Sequence, residues 1–335
     1  MNPTDAVLAW LDRLRADAEQ APHAPLSVEG LRLVLGHALD AISPTALRAA
    51  LEQGGEAYSQ VGYVAARSVL TAPLEWCALL LAHGSRVHLK HPAGAPGLAP
   101  WLVDHAEAVG LPLTASSHRE PLSSAELVIA MGSDATLRTL AARYGQVLGF
   151  GHRVSLAILP QNTPRPLIDA LAADLAAHDG RGCMSPCLVL TTDSSLSDPL
   201  AEAMAAAQVR WPRGSLSDGE HAALRTRRAL ARAAGRVHEG QGWSVHQLPL
   251  ALVRPVSLPR SAQVAVVPGL MDALASLTPS FPPLSTLSAP TALHHALRSL
   301  APRVCELGQM QRPPLRRHHD GVEHLRAITK APPAP

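Results

Sequence analysis

Apolar and polar positions change their rhythm along the chain. Between residues 4 and 54 they follow helical spacing. Val7, Leu8, Leu11 and Leu14 line one face, and "SPTALRAALEQGG" supplies Ser43 as N-cap, Pro44 in the first turn and Gly54 as the stop. From Ala72 helix and strand alternate. Trp76 to Ala82 reads as an apolar helix halted near Gly84, "RVHLK" as a short strand, Pro100 to Val109 as a helix, and "LPLTAS" and "AELVIAM" as strands. Strands that are apolar throughout and separated by helices belong in a parallel sheet covered on both faces. Next, "GSDATLRTLAARYG" predicts a Gly-Ser turn opening a helix, with Ser133 or Asp134 as its cap.

The later half keeps this style less regularly. "QVLGFG" and "RVSLAILP" are strand candidates, Pro166 to His178 a helix, and "CLVLTT" a strand. Pro199 to Ala207, Ser217 to Ala234 and Gly269 to Ser276 have helical spacing, and "AQVAVVP" is the strand before the last of them. The Pro- and Ser-rich run Leu277 to Pro290 predicts a long connection, and the tail "APPAP" predicts disorder. The fold class is α/β. A length of 335 residues exceeds what one core usually holds, so two domains are expected. The reading places the helical N-terminus and a nucleotide-binding domain in 1-150, a cysteine-bearing α/β domain in 151-310, and in 311-335 a segment returning to the first domain.

Composition narrows the function classes. Lys and Arg number 29 against 27 Asp and Glu, a net +2 that gives no reason to expect nucleic acid or an anionic membrane as partner. Basic residues cluster only at Arg225-Thr226-Arg227-Arg228, read as a solvated helix face, and at Arg316-Arg317-His318-His319. Apolar runs such as Ala78 to Ala82 fall far short of the roughly 20 residues of a membrane span. Cysteines at 77, 183, 187 and 305 are too few and too scattered for a disulfide scaffold, and Met1 to Glu19 reads as an amphipathic helix rather than a signal peptide. A reducing cytoplasm is therefore the expected location.

Three places carry candidate chemistry. Amides at a helix N-terminus beyond a parallel strand suit a phosphate. Gly132-Ser133 offers them, although a plain capped helix start reads the same way and no G-x-G-x-x-G follows a predicted strand. Lys90 ends an earlier strand of the same sheet, where it is either a contact for a nucleotide's ribose or phosphate or a solvated lysine. In "HDGRGCMSPC", Cys183 is open to three readings: a nucleophile, half of a metal or redox pair with Cys187, or a small core residue. A Cys-x-x-x-Cys spacing broken by Pro186 lacks the geometry of zinc knuckles and thioredoxin-like sites. Glycine-rich chain is also a poor place to bury a packing residue, which favours a presented thiol able to attack a carbonyl. His318-His319-Asp320 invites a metal reading, yet adjacent side chains in extended structure point to opposite faces, so no metal is expected.

Taken together, "VIAMGSDATLRTL", "GFGHRVSLAIL", "DGRGCMSPCLVL" and "CELGQMQRPPLRRHHDG" follow one another as in the LuxC-type fatty acyl-CoA reductases, a branch of the aldehyde dehydrogenase superfamily. The chain resembles that family over roughly Ala72 to Leu325, with a helical N-terminus shorter than is usual there. The resemblance implies an aldehyde-dehydrogenase-like fold, a Rossmann-type parallel-sheet cofactor domain joined to an α/β catalytic domain. It implies reduction of an acyl-CoA or acyl-carrier thioester to an aldehyde with NADPH, or NADH, and Cys183 as the acyl-accepting nucleophile. Lys90 then contacts the adenosine part of the cofactor, and Gly132 and Ser133 lie beside its phosphates. The Cys183 amide is the first oxyanion donor, and His152, Arg153 or Arg181 supplies a positive field to the thiol. Homo-oligomers are common in the superfamily and are left open here.

Two departures stand out. Where the superfamily places an oxyanion-hole Asn, this chain has Arg67-Ser68-Val69-Leu70, and at the position of the hydrolytic general base stands Gly149. Without that base no water need be activated, which fits thioester reduction better than aldehyde oxidation.

Overall fold

The apolar face expected over residues 4–54 becomes three helices. α1 (Pro3–Ala16) is capped by Asn2, whose side chain accepts from the Asp5 amide, and buries Val7, Trp10, Leu11 and Leu14. α2 (Val28–Ala41) follows, then α3 (Pro44–Leu51), capped by Ser43. The computed structural model describes residues 2–52, 55–277 and 280–330. The stop expected at Gly54 and the tail "APPAP" lie outside the described residues.

Two units divide the chain, one of Met1–His23, Leu35–His152 and Pro313–Pro335, the other of Ala24–Val34 and Arg153–Arg312. The first unit continues through β1 (Gln60–Val64), α4 (Ala72–Ala82), β2 (Arg86–Lys90), α5 (Ala99–Glu107), β3 (Leu113–Ser116), β4 (Leu127–Met131), α6 (Asp134–Arg143) and β5 (Val147–Phe150). Its strands lie in the order β3-β2-β1-β4-β5, all parallel. The order reverses at β1, and the carboxyl ends of strands at such a reversal are where open α/β sheets bind ligands. β1 is missing from the sequence reading because it is short and interrupted by Gly62. A Cβ at Gly62 would meet Leu122 Cδ2 at 2.5 Å, so a larger residue there would force the Leu122 side chain to shift.

The second unit runs through β6 (Val154–Leu159), α7 (Arg165–Ala176), β7 (Pro186–Thr191), α8 (Ser197–Arg210), α9 (Asp218–Ala234), β8 (Arg236–Gly240), β9 (Trp243–Gln247), β10 (Ser261–Val266), α10 (Leu270–Leu277), β11 (Leu284–Ser288), α11 (His294–Leu297) and β12 (Arg303–Cys305). Its sheet has the order β12-β11-β6-β7-β10-β9-β8, parallel except for the β8–β9 hairpin. Leu156, Ile158, Leu188 and Leu190 feed one core, while Ala157, Leu159 and Val189 feed another. Successive residues therefore bury on opposite faces, which is why β6 and β7 read as unbroken apolar runs.

Two expectations are corrected in this unit. The run Leu277 to Pro290 contains β11, paired with both β6 and β12. Its buried Ser285, Thr286 and Ser288 gave it a polar look, and the sheet satisfies its backbone: the Thr286 amide donates to Ser155 Oγ at 3.1 Å. The basic cluster on α9 is not a wholly solvated face either. Arg227 is buried and donates to the Val256 carbonyl at 3.0 Å, while Arg225 is exposed.

The chain ends in the first unit with β13 (His318–His319), β14 (Val322–Glu323) and α12 (His324–Ala327). Asp320 and Gly321 join the two short strands with φ of +52° and +91°, the geometry that makes Asp-Gly the preferred two-residue hairpin turn.

Candidate active site

Cys183 sits between α7 and β7, where the backbone is forced into an uncommon path. His178, Asp179 and Gly180 all have positive φ, a conformation that costs a non-glycine residue about 1–3 kcal/mol and persists only where its surroundings fix it. Asp179 is the fixing point. Its Oδ1 accepts from Arg260 Nε at 2.8 Å, and its Oδ2 from Arg181 Nη1 at 3.0 Å and the Gly214 amide at 3.1 Å. The Arg260 amide closes the bend by donating to the Asp179 carbonyl at 3.0 Å. Arg181 also donates to Glu220 at 2.6 Å and to the Ser215 carbonyl at 2.6 Å. Burial opposes the charge on Glu220, but Arg181 and Ser217 hold its carboxyl down to about 2. Arg181, expected as a source of positive field for the thiol, is thus committed to two carboxylates.

Beyond this anchor, the Ser185 amide donates to the Gly182 carbonyl at 3.0 Å, so Cys183 and Met184 occupy the middle of a tight turn. Ser155 Oγ, from β6, donates to the Cys183 carbonyl at 2.6 Å. The main chain is gripped while the Cys183 side chain is exposed. Cys187 differs in every respect. It lies in the core of the second sheet, burial pushes its thiol up to about 12, and none of the four cysteines is in a disulfide. Burial likewise pushes Cys77 up to about 12 and Cys305 up to about 11. The pair and core readings of Cys183 lose their footing here.

The segment "LGQMQ" docks against the same loop. Asp174, buried on α7, accepts from the amides of Gly308 at 2.7 Å and Met310 at 3.1 Å, and Gln311 Nε2 donates to Ser185 Oγ at 2.9 Å. Gly308 has φ +83°, and a Cβ there would lie 2.8 Å from that of Ala170. Burial pushes the Asp174 carboxyl up to about 7, against the amides that favour its anion. Asp174 and Arg260 lie outside every quoted motif, and Asp179, Ser155 and Ser185 lie inside them without a role, so sequence reasoning missed what all five do.

In the first unit the residues expected to meet a nucleotide lie at the carboxyl edge of the sheet. Lys90 ends β2, and burial together with Arg119 lowers its ammonium from the usual lysine value. Gly132-Ser133 follows β4, with the Gly132 amide donating to the Phe150 carbonyl at 3.2 Å. Ser133 is the cap of α6, its Oγ accepting from the Thr136 amide at 3.2 Å, whereas Asp134 accepts from the His152 amide at 3.2 Å. A dinucleotide's phosphates fit this chemistry: helix amides beyond β4, a cation beyond β2, and the strand-order reversal at β1. Arg67 is exposed, and a Cβ at Gly149 would lie 3.1 Å from Leu137, which fills the space beside it.

One cluster in the first unit has no counterpart in the sequence reading. Glu75 Oε1, in the first turn of α4, lies 2.8 Å from His324 Nδ1, and His324 Nε2 lies 2.8 Å from His319 Nδ1. Arg317 Nη1 donates to Glu75 Oε2 at 2.8 Å. The two histidines come together because β13 and β14 fold back through the Asp320-Gly321 turn; His318 is on the exposed side and takes no part. Burial opposes ionisation of Glu75, but Arg317 and His324 hold its carboxyl down to about 2.

Residues 115–331 match the family model described as "Acyl-CoA reductase (LuxC)". The chain belongs to that family. The LuxC match takes in Gly132, Ser133 and Cys183, and begins after Lys90. Solved structures show the fold to be that of the aldehyde dehydrogenases. An NAD-dependent aldehyde dehydrogenase from Sinorhizobium meliloti matches with TM-score 0.74 at 15 % identity, over 91 % of this chain and 74 % of that one. Aldehyde dehydrogenase 21 from Physcomitrella patens, in complex with succinate, gives 0.78 at 11 % identity, over 97 % and 84 %. The glyceraldehyde-3-phosphate dehydrogenase GapN from Methanocaldococcus jannaschii, complexed with NADP, gives 0.71 at 12 % identity, over 91 % and 80 %. No curated protein matches. Among the described residues no helix is long and apolar enough to cross a membrane.

Proposed function

We propose that this LuxC-family chain reduces an acyl thioester, a fatty acyl-CoA or a related donor, to an aldehyde through a covalent adduct on Cys183. NADPH is the reductant, with NADH as its alternative, and the reaction takes place in the cytoplasm. One observation carries the reading: in a member of an acyl-CoA reductase family, the exposed thiol stands on a turn whose main chain is held by Ser155 and anchored through Asp179.

The Cys183 thiolate adds to the acyl carbon, the bond from that carbon to the donor's sulfur breaks, and the departing thiolate takes up a proton. The Cys183 amide is assigned to the oxyanion of each tetrahedral stage, a contribution worth roughly 3 kcal/mol for such a donor. A nicotinamide cofactor, held through Lys90, Gly132 and Ser133, supplies the hydride when bound. The thiohemiacetal on Cys183 then collapses, its carbon–sulfur bond breaking to release the aldehyde and restore the thiolate. One proton is consumed per turnover. With Gly149 at the position of the superfamily's hydrolytic base, the chain offers no carboxylate there to activate water against the adduct.

Purified protein given acyl-CoA and NADPH is expected to oxidise the cofactor, and Cys183→Ala to abolish that oxidation; an unchanged rate in the variant would refute the mechanism. Replacing CoA with a loaded carrier protein separates the two donor classes. Arg67 and Ser68, standing where the superfamily carries its oxyanion Asn, favour one second reading, a protein that binds acyl groups or a partner without turnover. A stable acyl adduct with no NADPH oxidation is its signature.

A further inference from the structure

We propose that Arg225, Arg228 and Arg232 on α9 form a phosphate site that grips the phosphorylated nucleotide end of the thioester donor. The choice of ligand rests on the reduction proposed above, while the site itself lies wholly within the second unit.

A groove of about 520 Å³ lies between α9 and β8, lined by Arg225, Arg228, Ala229, Arg232, Glu239 and Gly240. Steps of three and then four residues put the three arginines on one face of the helix. One acid answers them. Arg228 Nε lies 3.3 Å from Glu239 Oε2, and Arg232 Nη2 pairs with Glu239 Oε1. Arg225 is exposed and has no acidic partner among the described residues. A fourth arginine, Arg227, is buried on the inner side of α9 and donates to the Val256 carbonyl, so it adds charge without a carboxylate. Glu220, nearer the start of the helix, is committed to Arg181. Four guanidinium charges less one carboxylate leave +3 along this stretch.

The interior does not answer that charge either. One strand in from Glu239 and Gly240, His246 on β9 pairs with Val237 of β8, is fully buried, and has no hydrogen-bond partner at either ring nitrogen. Arg227 Nη1 is likewise buried without a partner. Burial lowers the His246 ring to about 4, and Arg227, Arg228 and Arg232 push the same way against Glu239 alone. A phosphate supplies what is missing, several anionic oxygens that guanidinium forks take side by side. At the end of the groove a Cβ on Gly240 would lie 2.6 Å from Trp243 Nε1, so the bare glycine leaves room there for an indole N–H.

α9 starts at the nucleophile loop. Glu220, in its first turn, accepts from Arg181 Nε at 2.6 Å, and Arg181 is two residues before Cys183. At a rise of 1.5 Å per residue, Arg225 and Arg232 stand roughly 8 and 18 Å along the helix from Glu220. The arm of CoA between its sulfur and its pyrophosphate has about as many chain atoms as four to five residues, roughly 16 Å when extended. The two lengths agree. A surplus of three charges also suits a pyrophosphate with a further phosphate better than the single phosphodiester at the root of a carrier protein's arm.

The test compares the native protein with Arg225→Gln/Arg232→Gln on two donors, acyl-CoA and the same acyl group on pantetheine, which carries no phosphate. The double variant is expected to raise KM about tenfold for acyl-CoA, the size expected of two half-exposed ion pairs, and about twofold or less for acyl-pantetheine. Equal changes for the two donors, or none for acyl-CoA, overturn the proposal. So does a loss confined to a loaded carrier protein, which would make this face a protein dock. With NADPH saturating, inorganic pyrophosphate should compete with acyl-CoA in the native protein and spare acyl-pantetheine. Inhibition of both donors alike, or of neither, overturns the proposal, and this arm stands even if the variant does not fold. Absence of NADPH oxidation in the native protein would sink the functional reading instead. Calorimetric titration of both proteins with CoA would still decide the site: weaker binding by the variant is expected, and equal affinity overturns it.

Discussion

Asp174→Asn tests how the segment bearing "LGQMQ" is held against the nucleophile loop. In the native protein the buried carboxyl accepts the Gly308 and Met310 amides, at 2.7 and 3.1 Å. An asparagine keeps one acceptor and turns an NH2 toward the other amide. One buried donor is then left without a partner, at roughly 1–3 kcal/mol. The charge works the other way. Burial raises the carboxyl from 3.8 in its reference state to about 7 in the fold, an interval equivalent to about 4 kcal/mol at roughly 1.4 kcal/mol per pH unit. A carboxyl raised in the folded state binds its proton more tightly there, so stability falls as pH climbs from about 4 to about 7. Asparagine cannot titrate and should lack that slope. The expected outcome is that Asp174→Asn is less stable than native at pH 5 and closes most of the gap by pH 8. Urea unfolding at the two pH values measures it, with amide exchange at Gly308 and Met310 reporting the local opening. A gap that widens toward pH 8 would refute the reasoning, because the amide donors would then outweigh burial. Since Gln311 joins this segment to Ser185 at 2.9 Å, the variant should also change the alkylation rate of Cys183.

Three further outcomes follow from other parts of the fold. Arg260→Met removes the Nε partner of Asp179, leaving a buried carboxylate with one arginine fewer, and should cost about 3 kcal/mol in urea unfolding; a loss under about 1 would mean that Asp179 does not fix the bend. Leu190→Ala, at a fully buried position on β7, should cost about 2–5 kcal/mol in the same assay, and a neutral result would show that the second sheet repacks around the gap. Glu75, held down to about 2, stabilises the fold above its reference value of 4.5, and that stability is lost as pH falls toward 2; relative to Glu75→Gln, the native protein should lose about 3 kcal/mol between pH 5 and 2, and parallel curves for the two would contradict the pairing with Arg317 and His324.

Legibility in the sequence followed how local the signal was. Ser43 and Ser133 act as caps through bonds three residues away; Ser43 could be read directly, while the sequence left Ser133 and Asp134 as alternatives. β6 and β7 were legible because both of their faces bury apolar side chains. β1 and β11 were not: Gly62 answers to Leu122, and the buried serines and threonine of β11 make their bonds across the sheet. The same division holds at the site. The glycine-rich setting of Cys183 is local, while the groups that hold its loop come from far away, Arg260 being 81 residues from Asp179 and Gln311 126 residues from Ser185. His318-His319 showed only an adjacent doublet in the sequence, and the approach of His319 to His324 depends on the Asp320-Gly321 turn, which no local spacing announces.

The measurement closest to the central claim is intact-mass analysis of the protein mixed with acyl-CoA and no cofactor. The account expects a single acyl adduct on Cys183, discharged as aldehyde in equal amount when NADPH is added. An adduct that forms equally well on Cys183→Ala, or one that NADPH leaves in place, would contradict it.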